Sequence, residues 1–393
     1  MCVSMLRALR ISLLRELKTI IGDRLYLSVI WILPLVAIIF FSIMFYGGAI
    51  KELPLAVVDN DCSAVSRKLV DMIDATRGVC PNNQPMSIPE AEDMMLRGEV
   101  VGVLYIDKDF EHDIYAGVPT RLSCYMPGTS LSASGIVERD LQLCVRALSE
   151  TISQDKLLQS GVDYNNILVD INRINLLINT ISNPYMNYGY YLAPIFMFMA
   201  VIIFTVVATT YAVGRELYYA TASEWRGTAP NSMVGALIGK LLPITISMVV
   251  VMQLVFAILF GIMGMECMGS YLFLTLSSIL FILAYQSVAL FITTMTANLR
   301  LSLSLGGGYS VMAFTFSGIT FPVMAMYSAA RVLSKLFPLS YFSDIFIDQV
   351  MRGAPIEFST NSLWALMAFL LLSVVSIGRL DMITRCERYW CRD

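Results

Sequence analysis

The sequence predicts an α-helical polytopic membrane protein with six transmembrane helices, both ends in the cytoplasm, and a mixed α/β extracytoplasmic domain after the first helix. Three observations predict it. Hydrophobic residues make up 57% of the chain and charged residues 15%, where soluble domains average about 25% charged, and mean hydropathy is +0.68. No charged residue occurs from Ile174 to Gly214 or from Leu241 to Met265, and backbone that crosses lipid must satisfy its own hydrogen bonds as a helix. Charge is also asymmetric: residues 48–188 hold 11 Lys+Arg against 19 Asp+Glu, while the first 26 residues carry Arg7, Arg10, Arg15, Lys18 and Arg24. Cations mark the cytoplasmic side, so the acidic block is expected outside.

Residues 1–24 have helical periodicity, with Leu6, Leu9, Leu13, Leu17 and Ile20 on one face and Arg7, Arg15 and Lys18 on the other. This predicts a cytoplasmic interfacial helix lying on the leaflet, the alternative being an ordinary cytoplasmic start to helix 1. Residues 25–47 form helix 1, which Pro34 should kink; the run is too long for a signal-peptide core, so no cleaved leader is expected. Residues 48–188 are the extracytoplasmic domain. Leu53 to Asp59, Gly98 to Ile106 and Arg121 to Met126 read as strands, alternating with helices that Asp61 or Ser63, and then Ser87, would cap. From Leu131 two long helices follow, the second carrying Ile167, Ile171, Ile174 and Ile178.

Residues 189–380 hold helices 2–6. A polar loop, residues 214–240, separates helices 2 and 3 and carries Arg215, Arg226 and Lys240, which puts it in the cytoplasm. Helix 5 runs from about Ser302 to Phe321. The long outer segment 322–361 is apolar enough in parts to re-enter the bilayer against protein. Helix 6 returns to a cytoplasmic tail, residues 381–393, where Arg385, Arg388 and Arg392 lie.

Little chemistry is available within the chain. His112 is the single histidine, and no CxxC or HExxH occurs, so a metal site or histidine-based catalysis has nothing to build on and the chain is not expected to be an enzyme. Asp59-Asn60-Asp61 reads as a strand-end cap rather than a catalytic pair. Gly235-Ala-Leu-Ile-Gly239-Lys240 lacks the spacing and the hydroxyl of a phosphate loop. Ion coupling usually places charges within spans, and the six spans as delimited contain none. The energy source is therefore expected to be a separate ATPase, with loop 214–240 as its dock. Within the loop, Glu224 and Arg226 flank Trp225, the composition of a contact hot spot; the alternative is an interfacial aromatic at the headgroups.

These blocks resemble the permease subunit of type-2 ATP-binding-cassette exporters, in the branch with a large outer domain. Arg215-Glu216, Thr221, Pro230 and Gly239-Lys240 fall where such permeases show Arg-Glu, Gly-Thr, Pro and Gly-Lys, with Ala220 in place of the usual Gly. Ser317-Gly318, Phe321-Pro322, Pro338-Leu-Ser-Tyr341-Phe342 and Arg352-Gly353 match a second block, read as an outer gate, and Ala56 to Asp61 matches in the outer domain. Taken singly, Arg215-Glu216 could be a solvated helix-end pair, Pro230 a turn and Phe321-Pro322 a helix stop. The resemblance implies an ATP-driven exporter of an amphipathic or drug-like substrate in a bacterial inner membrane. It implies a second permease, identical or a sibling, and two cytosolic ATPase subunits that bind the ATP and Mg; this chain would need no cofactor. A periplasmic adaptor is a further candidate contact, and no nucleic acid is expected.

The rival reading is a membrane-anchored extracytoplasmic binding or sensor protein without transport, although six spans exceed what an anchor needs. The outer domain is expected to dock or gate rather than catalyse. Cys62 and Cys80 flank one predicted helix in an oxidising compartment, so a disulfide between them is expected, with Cys124 and Cys144 a second candidate pair.

Overall fold

A computed structural model describes residues 2–46, 52–83, 87–116, 118, 120–126, 131–159, 188–227, 232–318, 323 and 326–391. The chain divides into two units, Met1–Gly48 with Thr180–Asp393, and Ala49–Asn179.

The smaller unit is built on a four-stranded sheet. Three expected strands lie at Leu53–Asp59 (β1), Gly102–Ile106 (β3) and Leu122–Tyr125 (β4), and a fourth at Val79–Asn82 (β2). The order is β2-β1-β3-β4, with β1 parallel to both neighbours and β4 antiparallel to β3. The parallel pairs need crossover helices, which are α3 (Ala64–Asp74) and α4 (Ile88–Leu96). Strand alternation sends Leu55, Val57, Leu104 and Ile106 to one face, under α3, α5 (Phe110–Ala116) and α6 (Leu131–Gln159). Ala56, Val58 and Val103 go to the other face, under Ala91 and Met94 of α4. Both faces are thus covered, which explains the unbroken apolar run of β1. The second long helix expected near Ile167–Ile181 lies outside the described residues.

Ser63 caps α3 through its hydroxyl, which accepts the Ser66 amide at 3.1 Å. The two aspartates are structural. Asp59 accepts the amides of Asp61 and Cys62 and the Ser66 hydroxyl, and Asp61 accepts the Glu111 amide. Burial opposes ionisation of Asp61, but the Ser63 hydroxyl and the amides at the start of α5 outweigh it and hold the carboxyl below its ordinary range. A mostly apolar cavity of about 680 Å³ lies between α6 and the sheet, walled by Leu104, Phe110, Ile114, Leu122, Leu141 and Leu148, with Gln142 and Arg146 also in its lining.

One expectation is corrected here. Cys62 and Cys80 are free, exposed thiols, and Cys124 and Cys144 are free as well. Cys80 pairs with Pro54 at the start of β1, whereas Cys62 follows the far end of that strand. Pro54 to Asp59 alone spans about 16 Å at 3.3 Å per residue, well beyond the roughly 7 Å limit between Cα atoms for a disulfide.

In the larger unit, α1 (Cys2–Gly22) leads into five helices long and apolar enough to cross a membrane among the described residues. They are Arg24–Tyr46 (α2), Tyr188–Tyr218 (α7, crossing from Gly189), Met233–Ile262 (α9), Tyr271–Thr296 (α10) and Ile356–Arg385 (α14). The expected fifth crossing is the 17-residue helix Leu299–Thr315 (α11). Pro34 is accommodated by a wide turn at Ser28–Ile32, where the Leu33 amide reaches back to the Ser28 carbonyl. Most of α7 is buried at the centre of the unit, whereas α2 and α14 are largely exposed. Of the three consecutive glycines in α11, Gly306 alone packs closely: a Cβ there would meet Val206 of α7 at 2.7 Å, while Gly307 and Gly308 face open space.

The segment before α14 folds into α12 (Ser328–Ser334) and α13 (Pro338–Phe346). Pro338 opens α13, where its missing amide costs nothing. Phe342 is fully buried, stacked on Phe281 of α10 at 4.3 Å and edge-on to Phe198 of α7 at 5.1 Å. Tyr341 donates to the Lys335 carbonyl and packs by Phe369. The expected gate residues Pro338, Tyr341 and Phe342 are therefore built into the helix packing; Phe321 and Pro322 lie outside the described residues.

Candidate functional site

Helices extend further into the polar loop than its charges suggested. α7 continues to Tyr218 and α9 begins at Met233, so Glu216 and Lys240 belong to helices, and residues 219–232 remain as the connection. That connection contains a short helix, α8 (Ala222–Gly227). Ala220 has φ +57°, the left-handed conformation that glycine adopts without strain, and so turns the chain from α7 into α8.

α1 crosses the start of α9 at Gly239. A Cβ there would meet the Leu9 carbonyl oxygen at 2.5 Å and Ser12 at 3.0 Å, so only glycine admits this approach. Ser12 donates to the Ala236 carbonyl at 2.8 Å. The buried stripe of α1 is Ala8, Ser12, Glu16 and Ile20. The expected apolar stripe is met in part: Ile20 is buried and Leu9 and Leu13 are half-buried, Leu17 is exposed, and the side facing the protein is centred on the small and polar Ala8, Ser12 and Glu16.

The close approach brings Lys240 to Glu16. The ammonium donates to Glu16 Oε2 at 2.6 Å and to Glu216 Oε1 at 2.7 Å. Tyr26 donates to the other Glu16 oxygen at 2.7 Å. Arg15 and Thr221 donate to the other Glu216 oxygen at 3.0 and 2.6 Å. Two carboxylates are thus balanced by two cations, and all four carboxylate oxygens accept a hydrogen bond. Buried charge is tolerable only under those terms. Trp225 of α8 closes the cluster, with Lys240 Nζ 5.0 Å from the ring centroid.

Trp225 is 1% exposed, packed with Ala8, Leu217, Leu237, Leu380 and Ile383. It is therefore neither a free anchor for a partner nor a headgroup aromatic, which corrects both expectations. Among the described residues of the connection, Tyr219, Ser223, Glu224 and Gly227 are exposed. Arg226 reaches α14 instead, pairing with Asp381 at 3.0 Å. Arg215 pairs with Asp23 at 3.4 Å, and Tyr211 donates to the same carboxylate at 2.8 Å. Burial would raise the Asp23 carboxyl, but Tyr211, the Tyr26 and Leu25 amides and Arg215 hold it below its ordinary range. Pro230 lies outside the described residues.

The site thus unites Glu216, Thr221, Trp225 and Lys240 from the expected set, with Glu224 at its edge, 3.7 Å from Arg15, while Arg215 belongs to the separate pair with Asp23. Sequence reasoning missed Arg15, Glu16, Tyr26 and Asp381. Glu16 carried a signal: it is the one carboxylate before Asp23, set among cations. Chemically the cluster holds charge without offering a nucleophile. The cluster also joins α1, α7, α8 and α9 to one another through these contacts. A family model described as ABC-2 family transporter protein matches residues 24–377. No curated protein matches the chain.

Proposed function

The chain belongs to the ABC-2 family of transporter proteins, and on that premise we propose that it is the permease subunit of an ATP-driven exporter for an amphipathic or drug-like substrate. A separate cytosolic ATP-binding-cassette subunit binds the ATP and Mg and does the hydrolysis; this chain carries neither and catalyses nothing. Two permeases, alike or paired with a sibling, assemble with two such ATPases in a bacterial inner membrane. Both termini and α8 face the cytoplasm, the unit 49–179 faces outward, and a periplasmic adaptor is its candidate contact. α11 makes the sixth crossing: its 17 residues reach about 26 Å at 1.5 Å per residue, a shortfall that local bilayer thinning covers.

The observation that carries this reading is Lys240 bonded to both Glu16 and Glu216 beneath Trp225. A cytosolic engine needs a rigid handle on the membrane helices. Here the loop helix shares its core with α1, α7, α9 and α14, while Tyr219, Ser223 and Glu224 stay exposed for the partner. In proteoliposomes holding the permease and its ATPase, ATP-dependent export is expected to vanish when either is left out. Export that continues without the ATPase would refute the proposal.

A further inference from the structure

Among the described residues, none covers the face of α1 turned away from α9. Arg7, Arg10 and Lys18 are exposed on it, and among the described residues none of the three forms an ion pair. Ile11, Leu14 and Ile21 project between them, 40%, 49% and 74% exposed. With 3.6 residues per turn these six share one side of the helix. The one carboxylate of α1, Glu16, points the opposite way into the protein. A groove of about 500 Å³ runs along this side, bounded by Ile11, Leu14, Arg15, Lys18 and Thr19.

The position of the helix says what covers the face. α1 ends at Gly22, with only Asp23 between it and the span α2, and it lies along the first turns of the span α9, at Ala236 and Lys240. Its outer side is therefore level with the edge of the bilayer. Aliphatic and cationic side chains are interspersed around this arc instead of separating into a wet and a dry half. That suits the depth where acyl carbons and headgroup phosphates are both within reach, with Lys and Arg stems lying along the apolar layer and their charges in the phosphates.

We propose that this face of α1 is a docking surface for anionic phospholipid, whose phosphate meets Arg7, Arg10 and Lys18 while its acyl chains cover Ile11, Leu14 and Ile21. The proposal rests on the membrane assignment of α2 and α9 and is independent of the transport reading. Because Arg15 lines the groove and also bonds Glu216, lipid held there steadies the helix that supplies half of the buried cluster.

The test uses the full chain, purified in detergent and titrated with phosphatidylglycerol or phosphatidylcholine, with retained lipids counted by native mass spectrometry. Phosphatidylglycerol is expected to be retained in preference. Arg7→Gln, Arg10→Gln and Lys18→Gln together should lower its retention by about fivefold per cation at low salt and leave phosphatidylcholine unchanged. All three positions are exposed and outside the ion cluster, so the unfolding midpoint should hold; Lys18→Glu alone supplies a second, smaller change with the same sign. Retention of phosphatidylglycerol unaltered in both variants would overturn the proposal.

Discussion

Lys240 and Glu16 are 224 residues apart in the chain and 2.6 Å apart in the fold, each side chain 2% exposed. Removing one member of such a pair strands the others without compensation. Lys240→Met leaves Glu16 and Glu216 facing each other and is expected to cost about 3–5 kcal/mol, read as a lower unfolding midpoint in detergent. Glu16→Gln added to Lys240→Met restores the balance, since Arg15 then neutralises Glu216. The double variant should therefore be more stable than Lys240→Met alone; equal or lower stability would contradict the charge-balance account.

Trp225 and its neighbours should separate folding from partner binding. Trp225→Ala empties a buried site and is expected to cost about 3–5 kcal/mol, with less inserted protein. Glu224→Lys, at an exposed position, should keep the wild-type midpoint and weaken association with the ATPase. Thermal unfolding beside co-purification distinguishes the two; an unchanged midpoint for Trp225→Ala would show that the ring contributes no core packing.

Ala220 holds a left-handed conformation at φ +57°, which strains an L-residue by about 1–2 kcal/mol. Ala220→Gly removes that strain but gains freedom when unfolded, so a net rise of somewhat under 1 kcal/mol in unfolding free energy is expected. Ala220→Val, branched at Cβ, should lower the midpoint. A destabilising Ala220→Gly would mean that the turn is not strained.

The cysteines of the smaller unit give a pH-dependent signature. Cys62 and Cys80 are free and exposed and should alkylate without prior reduction. Burial first, then the Glu138 charge, push the Cys124 thiol up to about 11. It should label slowly near neutrality and accelerate as the pH approaches 11. The sign for stability follows: the neutral thiol is favoured by folding, so its contribution is present below the ordinary thiol range and is lost as the pH rises towards 11. Peptide mass spectrometry of timed alkylation checks both statements.

Much of the fold was legible because apolar runs and strand alternation report burial directly. β1, β3 and β4 were read within a few residues, whereas β2 was missed: it is four residues long, includes Pro81, and lies at the sheet edge. The helix ends were misjudged for one physical reason. Charge marks water only where it stays unpaired, and Glu216 and Lys240 are buried inside helices because each neutralises the other. Pairing also buries Glu16, so the side of α1 that meets the protein is centred on Ala8, Ser12 and Glu16 and shares Ile20 with the apolar stripe. Long-range pairing of this kind leaves no periodicity in the chain. Gly239 and Lys240 were noticed, but not the helix that Gly239 admits.

The central claim is that α8 receives work from an ATPase and passes it to the spans. The most direct measurement places a photoreactive side chain at Tyr219, Ser223 and Glu224 in turn, with the permease and its ATP-binding-cassette ATPase expressed together and the complex irradiated in the membrane. The account predicts an adduct with the ATPase from these exposed positions, on inserted permease of wild-type stability. A complete scan in which the permease is inserted, the ATPase is present and no position captures it would contradict the account.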